Sequence, residues 1–249
     1  MDDELVQRIA METVGQFDSD AFRAYRLGRI TASNFGRVIR MCEQNKNFVV
    51  ETSTDTERPV GPAAAYGKDM EKYAFDEFKR RNPKWIVNES GCFIFPYGMR
   101  FLSATPDGLV CDDPTDPHRW HSVLEIKCPF GLRSKTRLDP SCTGAKFLLF
   151  DPSTNRYRLD PTHDYYHQVQ GQMVAARTNR CHFVVYSPRG VYEQLLVELD
   201  IDWILKYLPM LCEFYTLEYW RIAIKEGLPL CEMTGMPRDG FALRERSLC

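Results

Sequence analysis

The sequence lacks the features that would place it in a membrane, in a secretory route or among proteins that hold polyanions by bulk charge. No stretch of its 249 residues approaches the roughly 18 to 20 uninterrupted apolar residues that a bilayer-spanning helix needs. The start, MDDELVQRIA, is acidic and amphipathic rather than basic and then apolar. It does not read as a secretory signal, and a cytoplasmic or nuclear location is the expectation. An excess of one charge sign is also missing: 32 Lys+Arg stand against 34 Asp+Glu, a formal net charge of −2. Bulk attraction to phosphate is thereby excluded, and any contact with nucleic acid has to be concentrated locally. Nine cysteines are present without a CxxC pair, an odd and evenly scattered set that suits reduced structural thiols. Internal repeats and low-complexity tracts are absent as well.

What is there, 44% hydrophobic and 27% charged residues, describes one soluble globular domain with a single large core. Residues 2–15 and 19–28 carry helical apolar spacing, and in RITASNFGRVIR either Thr31 or Ser33 can cap a short helix entering at Asn34. A polar stretch at 43–62 reads as a surface loop. The clearest helix covers 63–82, where Tyr66, Met70, Ala74 and Phe78 recur every four residues and Pro83 ends it. Runs rich in β-branched and aromatic residues at about 85–95, 99–105 and 122–127 read as an antiparallel meander. Residues 132–163 have no clear assignment. A second helix follows in HDYYHQVQGQMVAART, then two strands in CHFVVYSP and VYEQLLVEL, then a long helix from Asp200.

The chemistry is concentrated in FLSATPDGLV and VLEIKCPF, with Glu125 eighteen positions after Asp107. Residues two apart on a strand share a face, so Glu125 and Lys127 lie side by side and Ile126 points the other way. The strand is otherwise apolar, and burying two charges in it costs several kcal/mol each unless they are paired or bind a metal. If 101–111 and 122–127 pair as a hairpin, the turn at Pro106, Asp107 and Gly108 brings Asp107 beside Glu125. Two converging carboxylates suit Mg²⁺ or Mn²⁺, and an adjacent lysine can orient or help deprotonate a water. Taken alone, each fragment fits a turn aspartate or a Glu–Lys ion pair. Together they favour a metal-dependent phosphodiesterase site. On the helix at 63–82, Gly67, Glu71, Phe75 and Phe78 share one side, which puts a carboxylate at the edge of an apolar face.

Five segments in order, RLGRITAS at 26–33, GKDMEKYA at 67–74, SATPDGL at 103–109, LEIKCPF at 124–130 and YYHQVQGQM at 165–173, resemble the bacteriophage lambda exonuclease and YqaJ-type viral recombinase family of the PD-(D/E)xK nuclease superfamily. The resemblance implies an α/β fold with a restriction-endonuclease-like core, a central mixed sheet flanked by helices, and helical additions at both ends. It implies a single nuclease domain over 1–249, with the motif-bearing core at about 26–198 and a helical extension at about 200–249. Asp107 and Glu125 match the metal-binding carboxylates, with the Ile126 carbonyl as a further ligand for one or two Mg²⁺ (or Mn²⁺) ions. Lys127 matches the catalytic lysine, Glu71 an accessory acid and Gln168 a glutamine near the lysine and water. Arg26, Ser33, Thr105 and Arg133 match positions that hold the 5′-phosphate of a DNA end, with Arg29 as an alternative to Arg26. The implied activity is 5′-to-3′ exonucleolytic digestion of linear double-stranded DNA, leaving 3′ single strands for recombination or annealing. A homotrimeric ring and a single-strand annealing partner belong to the same expectation. An endonuclease or structure-specific nuclease of the superfamily, or a non-catalytic DNA-end-binding module, stands as the alternative.

Other constellations carry less. Cys111, His118, His121 and Cys128 have a spacing unlike the short ligand pairs of zinc sites. His163 and His167 lack the HExxH glutamate and read as surface or partly buried histidines. The aromatic run from Trp203 to Trp220 reads as core or subunit contact, and the basic clusters at 79–81, 133–137 and 156–158 read mostly as solvated faces.

Overall fold

The computed structural model describes residues 3–16, 20–44, 61–96, 98–113, 115–116, 119–141, 143–227 and 230–231. Most of the expected loop at 43–62, His118 and the tail after 231 lie outside the described residues. The chain opens with α1 (Asp3–Glu12), α2 (Asp20–Arg26), a two-residue strand β1 (Ile30–Thr31), a 3₁₀ turn (Ala32–Asn34) and α3 (Phe35–Glu43). The long helix α4 (Pro62–Arg81) has Pro62 in its first turn, where the missing N–H costs nothing. It stops at Asn82, whose side-chain amide donates to the Phe78 carbonyl at 2.8 Å. Then come β2 (Ile86–Glu89), β3 (Phe93–Ile94), β4 (Leu102–Ala104), β5 (Gly108–Cys111) and β6 (Ser122–Lys127). A hairpin β7 (Leu148–Asp151) and β8 (Arg156–Leu159) precedes α5 (Asp164–Ala176), β9 (Arg180–Tyr186) and β10 (Tyr192–Glu198). The end is α6 (Ile201–Glu213), a π-helical segment (Phe214–Tyr219) and α7 (Trp220–Glu226).

The main sheet has the order β10-β9-β6-β5-β2, antiparallel throughout except for the parallel pair β6–β9. A parallel neighbour needs a crossover, and α5 supplies it. The expected α/β core with a mixed sheet and helices on its faces is what the chain forms. The expected meander is more divided: the run at 85–95 contributes β2 to the main sheet and β3 to a separate sheet of order β1-β4-β3. Strands of two or three residues carry too few side chains to show a period, so their pairing could not be read in advance. The hairpin in the unassigned stretch 132–163 has strands of only four residues each, also short for a period to show. Neither Thr31 nor Ser33 caps α3; the two hydroxyls lie 2.9 Å apart, and Asn34 occupies the cap position without a side-chain cap bond.

Both faces of β6 are covered, which explains its nearly unbroken apolar character. On one face α5 and α3 join a large core including Phe35, Val123, Val169, Met173, Phe183, Trp203 and Tyr215. On the other, α4 closes a smaller core of Ala74, Phe78, Val110, Leu124, Ile126 and Val184. The aromatic run of the last helices is indeed mostly core: Trp203, Phe214, Tyr215 and Tyr219 are buried. The seven described cysteines are all free.

Close approach of α5 to α3 depends on Gly171, where a β-carbon would stand 2.5 Å from the Phe35 ring. Gly171→Ala should therefore cost about 1–3 kcal/mol of overpacking. Denaturant titration checks it, and an unchanged midpoint would contradict the close packing.

Two buried histidines make a second prediction. His167 accepts from the Trp203 indole N–H at 2.9 Å, and burial pushes it from 6.5 down to about 4. His182 lies 4.6 Å from the Trp85 ring, and burial, with His121 and Arg180 adding to it, likewise pushes it from 6.5 to about 4. Each is neutral in the fold, while the unfolded chain takes up protons first. Their contribution is therefore complete above pH 6.5 and lost as pH falls toward 4. Thermal midpoints of the parent should drop more steeply between those limits than those of His182→Gln, and parallel profiles would refute this.

Candidate active site

Strand alternation and turn geometry bring the charged residues to one place. Asp107 immediately precedes β5, its amide donates to the Leu124 carbonyl at 3.0 Å, and Gly108 pairs with Leu124 across the β5–β6 hairpin. Gly108 is needed there, since a β-carbon would sit 2.9 Å from the Phe75 ring and 3.1 Å from the Asn88 carbonyl. Asp107 Oδ2 accepts from the Ile126 amide at 2.6 Å, so the aspartate bridges the end of the hairpin to the strand bearing Glu125.

Glu125 is 1% exposed, yet both of its oxygens are satisfied. Oε1 accepts from Lys127 Nζ at 2.5 Å and from Gln168 Nε2 at 2.6 Å; Oε2 accepts from Gln172 Nε2 at 2.7 Å. Both glutamines project from α5, four residues apart and hence on one face. The Gln172 amide also donates to the Thr105 carbonyl at 3.2 Å. Both partners of that amide can only accept, which fixes its orientation. Gln172 is a residue that the sequence reading passed over, although its i+4 spacing from Gln168 was the available signal. Tyr165, one turn before Gln168, was missed too: Lys127 Nζ lies 4.5 Å from its ring centroid.

The electrostatics are those of crowded carboxylates. Asp107 is held well above the ordinary carboxylate range by burial first, then by the charges of Glu125 and Glu71. Glu71, half-buried on α4, is raised by burial and by Glu125. Burial works to lower the Lys127 ammonium, but Glu125 and Asp107 outweigh it and hold the lysine above its usual value. Lys127 is therefore a fixed cation rather than a proton acceptor. Three crowded carboxyl groups beside one ammonium disfavour one another's ionised forms, and a hard divalent cation is a natural complement to such a cluster. Among the described residues no set of three or more His, Cys, Asp or Glu side chains converges as a metal cage. Asp107 and Glu125, with Ile126 between Glu125 and Lys127, are the residues that could hold such a cation. Such a pair fits Mg²⁺ or Mn²⁺, which keep waters and substrate oxygens as their remaining ligands.

The residues matched to a 5′-phosphate site divide. The parallel pairing of β1 with β4 sets Thr31 opposite Ser103, bringing the Arg26–Ser33 segment to the strand that leads into Thr105. Arg26 and Thr105 both border the buried Cys92 thiol, which burial raises and Arg26 and Arg29 pull down. Arg29 is not a spare phosphate ligand: its guanidinium donates to the Arg100 and Tyr25 carbonyls at 2.7 and 2.6 Å. Arg133 is exposed, stacks 3.9 Å over Phe130 and donates to the Phe130 carbonyl, on the flank of α4 near Tyr66. The Cys111 thiol is directed to the Asp113 and Asp116 carbonyls.

The family model of the YqaJ-like viral recombinase domain matches residues 21–179, a span holding Glu71, Asp107, Glu125, Lys127, Gln168 and Gln172. Comparison with curated proteins found no match. Among solved structures, the alkaline exonuclease LHK-Exo from Laribacter hongkongensis is similar at 22% identity and a TM-score of 0.57, over 84% of this chain and 97% of that one. A SOX–DNA complex is similar at 12% identity and a TM-score of 0.56, over 91% of this chain and 73% of that one. The Shutoff and Exonuclease Protein from Kaposi's sarcoma associated herpesvirus is similar at 11% identity and a TM-score of 0.55, over 89% and 73%. At such identities the likeness is one of fold, the mixed sheet flanked by helices. By its matched domain, the chain belongs to the YqaJ-like viral recombinase family.

Proposed function

We propose that the protein is a metal-dependent nuclease that digests linear double-stranded DNA from a 5′-phosphorylated end in the 5′-to-3′ direction, leaving a 3′ single strand. The observation that carries this reading is the buried Glu125 beside Asp107 and Lys127, tied to Gln168 and Gln172, inside a YqaJ-like domain. Proteins that share its fold include an alkaline exonuclease and proteins in complex with DNA and with RNA. Asp107 and Glu125, with the Ile126 carbonyl, hold Mg²⁺ or Mn²⁺, which when bound polarises the scissile phosphate. Lys127, kept cationic, orients the attacking water and offsets charge on the phosphate oxygens. Glu71, with its raised carboxyl, is the group suited to take the proton from that water. Gln168 holds the Glu125 oxygen shared with Lys127. Arg26, Ser33 and Thr105 receive the terminal phosphate, a guanidinium and two hydroxyls suiting that anion. Arg133 is a fourth contact on the α4 side. The whole chain acts as one nuclease domain, assembled as a homotrimeric ring and paired with a single-strand annealing protein. A ring retains DNA by topology where a net charge of −2 cannot do so by attraction.

Metal binding is tested without activity. Mg²⁺ or Mn²⁺ at millimolar concentration should raise the thermal midpoint of the parent, because ligands that bind only the folded state stabilise it. Asp107→Asn should remove the shift, and a shift that persists in this variant would relocate the metal.

Cleavage is tested on three substrates: a linear 5′-phosphorylated duplex, the same duplex with 5′-hydroxyl ends, and a closed circular plasmid. The linear duplexes should be lost, the phosphorylated one faster, and the circle spared. Lys127→Ala should reduce the rate at least a hundredfold, in the range of mutational losses at sites that stabilise transition-state charge. Cutting of the circle would replace the exonuclease by an endonuclease, and full activity of Lys127→Ala would sink the mechanism.

A further inference from the structure

The helix that carries Glu71 into the site carries a second set of residues that the chemistry does not use. Tyr66, Tyr73 and Arg81 recur at seven and eight residues along α4, one stripe of the helix, and span about 22 Å at 1.5 Å per residue. At the near end, Tyr66 meets Phe130 edge to face at 5.6 Å, and the Arg133 guanidinium stacks 3.9 Å from the Phe130 ring. Gly67 lies against the Cys128 carbonyl, one residue beyond Lys127, so this end adjoins the carboxylate site. In the middle, Tyr73 is 60% exposed, and Tyr186 from the end of β9 stands within electrostatic reach of Tyr66, Tyr73 and Glu77. At the far end, Arg81 lies 4.0 Å over the ring of Tyr192, the first residue of β10.

The composition of this row matters more than its area. Along it aromatic rings lie beside guanidinium planes at both ends, Phe130 with Arg133 and Tyr192 with Arg81. Within the row Glu77 is neutralised by Arg80 and Arg81 at 2.7 and 2.6 Å, while the exposed Asp69 and Asp76 lie one turn to either side of Tyr73. Rings and guanidinium groups offer stacking surfaces for unpaired bases and positive charge for the connecting phosphates, and they do so without regard to sequence. Duplex DNA keeps its base faces stacked on each other and gains nothing from such a row.

We infer that the α4 face from Phe130 to Tyr192 is a stacking track for single-stranded nucleic acid leading away from the carboxylate site. This rests on the nuclease reading, under which an unpaired strand is generated next to Phe130 and Tyr66. The track holds that strand by stacking, so that the duplex does not re-form behind the advancing end. Tyr73 is its central contact, because its exposed ring makes no interaction that the fold depends on.

The test is fluorescence anisotropy with a labelled oligothymidylate of about a dozen nucleotides and with a blunt duplex of the same length, in EDTA so that nothing is cut. The full chain should bind the single strand, and Tyr73→Ala should weaken that binding about five- to a hundredfold, the range expected for one lost base stack. Tyr73→Trp should restore it, and affinity for the blunt duplex should be unaltered in both variants. Equal affinity of the parent and Tyr73→Ala for the single strand, or no binding by either, would overturn the track. Equal losses for single strand and duplex would also overturn it, showing general charge rather than stacking. The metal-free measurement separates the two readings. A parent that binds as expected yet cuts no DNA with Mg²⁺ refutes the nuclease alone, and one that cuts but shows no Tyr73 dependence refutes the track alone.

Discussion

The arrangement rests on satisfying the Glu125 carboxylate where water is almost absent. A buried carboxylate without hydrogen-bond partners costs several kcal/mol. Here Lys127, Gln168 and Gln172 supply three donors to its two oxygens. Removing one donor leaves a buried acceptor underserved, which costs more than the missing bond was worth on balance. This dependence links the site to the packing. Two of the three donors lie on α5, so anything that shifts α5 against β6 shifts the ligands of Glu125. The close contact of Gly171 with Phe35 and the His167–Trp203 bond hold α5 against α3 and α6, and so bear on the site from a distance.

The crowding of Glu71, Asp107 and Glu125 is a cost of the fold without a ligand. Each added carboxylate raises its neighbours, and a single ammonium cannot compensate all three. A domain does not gain stability from such a cluster, so its persistence at the end of the β5–β6 hairpin argues for a cationic complement. The same reasoning explains the choice of lysine at 127. Its ammonium lies between Glu125 and the ring of Tyr165, both of which favour the charged form.

Much of the site was legible because it lies on elements with strong periods. The period of two in VLEIK set Glu125 and Lys127 side by side, and the turn at Asp107 reached them through a short hairpin. Glu71 was legible from the apolar side of α4. What escaped lacked a local signal. The pairing of β1 with β4 joins segments seventy residues apart through two register positions, Ile30 with Leu102 and Thr31 with Ser103. No property of either segment announces the other. Arg29 looked interchangeable with Arg26 because sequence shows a guanidinium but not the backbone carbonyls it faces. Gln172 looked like any polar helix residue, since its burial comes from the β4–β5 connection packed over it.

That oversight has a structural consequence, because Gln172 is where the two halves of the site meet. Its amide donates to the Thr105 carbonyl and to Glu125 Oε2 at once. Thr105 belongs to the group proposed to hold a terminal phosphate, and Glu125 to the pair proposed to hold the metal. An end-directed nuclease has to keep a fixed distance between the phosphate it recognises and the bond it cuts. A side chain bonded to both groups sets that distance more rigidly than the backbone of a loop could. The cost is visible in the same residue: Gln172 Oε1 is buried without a hydrogen-bond partner among the described residues. An unsatisfied buried oxygen is tolerated where the remaining geometry is worth more than the missing bond. Position 172 is such a place, since a shorter amide could not span from α5 to both acceptors and a charged side chain would add to the negative crowding or compete with Lys127.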